Sequence, residues 1–120
     1  MESREIRTVK LGLETMGKQG SFGTLREIIE VCKKVKGCVP VIDWAHLYAR
    51  SAGRIDYGKV FEELKPLRLK HVHTHFTCVE FSKVGEGRGN ERYHLELSSE
   101  KPPFDPLAKE IMRRLSLIHI

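Results

Sequence analysis

Val39-Pro40-Val41-Ile42-Asp43-Trp44-Ala45-His46 is the stretch from which the rest of the chain is best read. A short apolar, β-branched run ends abruptly in a carboxylate, and an imidazole follows three positions later. Pro40 is tolerable because it sits at the start of the run, where a strand can spare an N–H. The same device recurs on either side: Val9–Leu13 ends in Glu14, and Leu69–Val72 runs into His73 and His75. Such runs have the length and composition of strands buried on both faces.

Between the runs the period changes. Leu25, Ile28, Ile29, Cys32 and Val35 recur at helical spacing, Thr24 with Glu27 has the capping-box pattern, and Gly37 is a suitable stop. Trp44–Ala52 reads as a turn or short helix, and Asp56 caps a helix with Val60, Phe61 and Leu64 as its apolar stripe, ended by Pro66. The strands are expected at Thr8–Leu13, Val39–Ile42 and Leu69–Phe76. Ser82–Asn90, charged and glycine-rich, reads as a mobile loop, Tyr93–Leu97 as extended, and Phe104–Arg114 as a final helix. Strands alternating with helices, each strand ending in an acid or histidine, predict an α/β protein built as part of a (β/α)8 barrel.

Composition sets the outer limits. The 120 residues are 40% hydrophobic and 31% charged, as in ordinary globular proteins. No apolar run approaches the roughly 20 residues of a membrane-spanning helix, and the N-terminus lacks a secretion-signal pattern. Cys32, Cys38 and Cys78 are odd in number and have no paired spacing, so the expected setting is a reducing cytoplasm away from membranes. The net charge of +5 is compatible with a polyanionic partner.

The reactive face of a parallel barrel is the C-terminal edge of its strands, where Glu14, Asp43 and His73/His75 all fall. Carboxylate and imidazole donors suit zinc, manganese or iron(II) better than magnesium or calcium. His71, His73 and His75 alternate, so all three are expected on one face of a strand, with at least one serving structure alone. Taken singly, each residue has a plainer role: Glu14 as a loop acid, Asp43 as a strand-end turn residue, His46 and His94 as packed or surface histidines. Gly17–Gly23 either cradles phosphate ahead of the helix or is a plain connector; it lacks the pattern of a nucleoside-triphosphate loop.

Several motifs in order resemble one family. Leu13-Glu14-Thr15-x-Gly17-Lys18, Phe22-Gly23-x-Leu25-x-Glu27-Ile28, Ile42-Asp43-x-x-His46, His73-x-His75-Phe76, and Gly85-Glu86 ahead of Arg92-Tyr93-His94-Leu95 are similar to the endonuclease IV family, in its archaeal-type, xylose-isomerase-like barrel form. The resemblance covers about Arg7 to Arg114. It implies a zinc enzyme (two or three ions, with manganese an alternative) that hydrolyses the DNA backbone 5′ to abasic sites in base-excision repair, working as a monomer on duplex DNA. Glu14 would be the catalytic carboxylate bridging two metals, Asp43 a ligand of one of them, and His46 a ligand of the third. His75 would be the next histidine ligand, with His73 its alternative, and His94 would join His46. The family has an aspartate where Arg92 stands, with Glu91 one residue away as a substitute. Lys18, Arg50, Arg54, Lys83 and Arg88 would meet DNA phosphates, or form a solvated surface.

On this reading residues 1–114 are the C-terminal portion of such a barrel. Leu115-Ser-Leu-Ile-His-Ile120 matches what a transposon sequencing adapter encodes when read through, and is expected to be a non-native tail. Such a fragment would have open sheet edges, fold poorly alone and show little activity. A sugar isomerase or epimerase of the same superfamily is the alternative activity.

Overall fold

In a computed structural model, residues 10–114 are described. The start of the first expected strand and the tail Leu115–Ile120 lie outside them. Strands β1 (Leu11–Glu14), β2 (Cys38–Asp43) and β3 (His73–His75) form a parallel sheet in the order β1-β2-β3. Helix α1 (Leu25–Lys34) links β1 to β2; α2 (Trp44–Arg50) and α3 (Tyr57–Leu64) link β2 to β3. The architecture is therefore α/β with parallel strands and intervening helices, and the described strands do not close a barrel.

The helices begin where the sequence marks them. Thr24 accepts from the Glu27 N–H while Glu27 returns a carboxylate oxygen to the Thr24 N–H, so both halves of the capping box form. Asp56 accepts from the Lys59 N–H at 3.1 Å and caps α3. Pro66 falls in a 3-10 turn, Lys65–Leu67, that ends the helix, and Arg68 follows in the left-handed conformation. The third strand, His73–His75, is shorter than the expected Leu69–Phe76.

One face of the sheet carries the core. Ile42 and Val72 pack with Leu25 and Ile29 of α1 and with Tyr57, Val60, Phe61 and Leu64 of α3. Trp44, fully buried, meets Tyr57 edge-on at 5.3 Å and Phe61 at 5.5 Å. α4 (Asp105–Arg113) closes this layer through Leu107.

The stretch expected as a mobile loop is instead a hairpin, β4 (Cys78–Gly85) with β5 (Arg88–Leu95). Glu86 and Gly87 make its turn, with Gly87 at φ +66. Charge hid the strands: Val79 and Phe81 pack inward on Ala45, Ala49 and Tyr48 of α2, whereas Lys83, Val84, Arg88 and Arg92 face solvent. Gly89 lies so close to α2 that a Cβ there would stand 2.4 Å from the Ala49 carbonyl. The hairpin is thus an elaborated connection after β3, laid back over α2.

Candidate metal centre

The site is built where β1 and β2 end. Glu14 pairs in register with Val41, Val41 with His73, and Asp43 with His75. Register partners share a face, so Glu14, Asp43, His73 and His75 all lie on the face opposite the core residue Ile42. The alternation expected of the histidines holds for His73 and His75, whose rings stand 6.3 Å apart edge-on.

Thr15 sets the next layer. Fully buried, it receives the Asp43 N–H on Oγ1 at 2.9 Å and donates its N–H to the Val41 carbonyl at 3.1 Å. Its own carbonyl lies 2.7 Å from His46 Nδ1. A carbonyl can only accept, so Nδ1 carries the hydrogen and Nε2 is turned the other way. Asp43 divides its oxygens: Oδ1 caps α2 by accepting the His46 N–H at 3.1 Å, and Oδ2 lies 3.5 Å from His46 Nδ1. The capping role accounts for an acid at the end of β2, and the spacing of three brings His46 round to the same cavity.

Glu14 stands between two imidazoles. Its Oε2 lies 3.6 Å from His46 Nδ1 and its Oε1 3.7 Å from His75 Nδ1. Glu14, Asp43 and His46 each present one donor atom within 4.8 Å of the others. Two carboxylates and an imidazole at that spacing fit a divalent cation of the zinc, manganese or iron(II) type, which His46 would meet only by giving up its Thr15 contact at Nδ1 or its Glu91 contact at Nε2. On the far side of His46, Nε2 lies 3.0 Å from Glu91 Oε2 on β5. Glu91, offered above as the substitute for the aspartate missing at Arg92, is thus a third acid beside His46, brought there by the packing of the hairpin.

The other expected residues are placed as follows. His73 sits two residues back from the strand end, bordering a cavity of about 630 Å³ with Lys10, Arg68 and Lys70. His94 is exposed on β5, 3.5 Å from Thr77 Oγ1 rather than against His46. Lys18 and Arg88 are exposed, and Arg54 is paired with Glu86. Arg50 turns inward, its guanidinium donating to the carbonyls of Met16, Gln19 and Ser21. The Gly17–Gly23 loop does not offer a phosphate cradle at the start of α1, because the Glu27 carboxylate already accepts the N–H groups of Gly23 and Thr24. Those contacts hold the Glu27 carboxyl below its usual range, the Thr24 N–H contributing most.

Comparison with known proteins agrees with this geometry. The chain is 35% identical over 111 residues to an uncharacterized protein of Methanocaldococcus jannaschii, covering 86% of this chain and 38% of that one. The chain therefore spans well under half the length of that relative. No solved structure matches. Residues 2–114 match the xylose isomerase-like TIM barrel family, and the chain belongs to that family.

Proposed function

We propose that this chain carries part of the metal centre of a phosphodiesterase that cuts duplex DNA 5′ to abasic sites, as in base-excision repair, with zinc the favoured ion. The observation that supports this most is the placement of Glu14: its two oxygens address two different histidines, as a carboxylate shared between cations requires. On this reading Glu14 would be the catalytic carboxylate shared between two cations, with Asp43, His46 and His75 as the surrounding donors. His73 is the alternative to His75. His94, which does not touch His46 here, would join the centre only by moving from Thr77.

A bound divalent cation supplies Lewis acidity and lowers the pKa of a coordinated water towards about 7. The chain's own contribution is orientation. The Thr15 carbonyl holds the proton on His46 Nδ1, and Asp43 fixes the backbone that carries His46. Lys18 and Arg88, exposed and without an ion pair among the described residues, are the cations that would meet phosphates of the DNA backbone, and Arg54 would join them by leaving Glu86. The hydrolysis adds water at phosphorus and breaks the bond to the 3′ oxygen, which takes the proton.

A sugar isomerase or epimerase is the second reading, favoured by the fact that only one three-donor group is found among the described residues. A single assay separates the two. The longest reading frame containing this chain is purified and given duplex DNA with one abasic site, with and without chelator. Chelator-sensitive nicking at the lesion, lost in Glu14→Gln, is expected. A metal-loaded protein that leaves the lesion intact would move the assignment to the isomerase branch.

A further inference from the structure

The loop after β1 and the β4–β5 hairpin come from opposite ends of the chain, yet they are laced together directly beside His46. The Gln19 backbone N–H donates to Asn90 Oδ1 at 2.6 Å. Its side-chain Nε2 donates to the carbonyls of Gly89 at 3.0 Å and Arg50 at 2.7 Å. The next residue of β5, Glu91, donates its N–H to the Gly17 carbonyl at 2.8 Å. Arg50 holds the same loop from the α2 side through three carbonyls. Gly17 lies under the Glu91 side chain, where an added Cβ would stand 2.9 Å from Oε2, the atom that faces His46 Nε2.

From this lacing we infer that Gln19 is a positioning residue: it ties the first loop to β5 and thereby sets the Glu91 carboxylate against His46. Gly17 is the second part of the device, since only a missing side chain leaves room for that carboxylate. Gln19 suits the task because its amide donates to two carbonyls at once. A glutamate of the same shape donates to neither and would repel both. The inference rests on the metal-centre reading for its purpose, not for its geometry.

The experiment is a Co²⁺ titration followed by visible absorption on wild-type protein, Glu91→Gln, Gln19→Glu, Gly17→Ala and the double variant Gln19→Glu/Glu91→Gln. Groups that orient a metal-binding residue typically contribute about 10–100-fold in affinity. Gln19→Glu and Gly17→Ala are expected to change the affinity about tenfold, in the same direction as Glu91→Gln, and to shift the spectrum as it does. The double variant is expected to be no further from wild type than Glu91→Gln alone, because Gln19 acts through Glu91. Effects that add, or a Gln19→Glu protein with wild-type affinity and spectrum, would overturn the inference. Gly17→Ala decides the matter if Gln19→Glu does not fold, since its methyl meets the Glu91 side chain, from the carboxylate at 2.9 Å to Cβ at 3.1 Å, and displaces it directly. Co²⁺ binding indifferent to Glu14→Gln would instead count against the metal centre. The inference would then be judged on the metal-free protein, where Gln19→Glu and Glu91→Gln must displace the His46 ring-nitrogen resonances alike, and unchanged resonances refute it.

Discussion

His46 shows how much of the site is settled within single residues. Its backbone N–H is held by Asp43, its Nδ1 by the Thr15 carbonyl, and its Nε2 faces Glu91. Asp43 caps α2 and, in the proposed centre, would also be a metal donor, and Asp43→Ala is expected to lose both. Removing the cap costs about 1 kcal/mol of stability, and removing a donor abolishes stoichiometric zinc binding. Denaturant melts and isothermal titration on the same variant read the two losses separately. Glu27 gives a pH signature. Its folded pKa lies below the ordinary value of 4.5, so its stabilising effect is complete above that value and fades as pH falls through the folded one. Thermal melts should show Glu27→Gln less stable than wild type at pH 7, with the gap closing on acidification below about 4.5.

At the scale of elements, the sequence was most legible where one residue both ends one element and begins another. Thr24 with Glu27 and Asp56 mark helix starts through local hydrogen bonds that need no tertiary context. The ends of β1 and β2 were legible for a related reason: an apolar run stops at its first carboxylate, although β1, expected to be buried, is exposed at Leu11 and Gly12. Of the hairpin only the end of β5, Tyr93–Leu95, was legible as extended; the rest was not, because its inward residues Val79 and Phe81 are diluted by charged neighbours and its partner is α2, fixed only by folding. Thr15 was likewise silent, since its role runs through a hydrogen bond to a residue 28 positions away. Glu91 was visible as a substitute for the acid missing at Arg92, but not as a partner of His46 Nε2. Gly89→Ala tests the hairpin's seat: a methyl 2.4 Å from the Ala49 carbonyl forces β5 away from α2. Reduced amide protection in β4 and β5, with protection of β1 and β2 retained, is the expected hydrogen-exchange result.

Across the whole molecule, stability and site depend on the same layer. Phe61 is 2% exposed and joins α3 to the Trp44 ring behind the strand ends. Phe61→Ala is expected to cost about 3–5 kcal/mol, enough to unfold a marginal domain, as a denaturant melt would show. On the other side, the described sheet has two unpaired edges, β1 and β3, and Leu11 is 63% exposed on the first of them. The 120-residue chain alone is therefore expected to bind a hydrophobic dye such as ANS and to self-associate, whereas a longer product that covers these edges would not.

The central claim is that the ends of β1 and β2 hold a metal. Its most direct test is an anomalous diffraction map, recorded at the zinc edge from crystals grown with Zn²⁺. The account predicts a peak about 2.0–2.2 Å from donor atoms of Glu14, Asp43 and His46, absent in crystals of Glu14→Gln. Zinc bound elsewhere, with nothing at these residues, would contradict it.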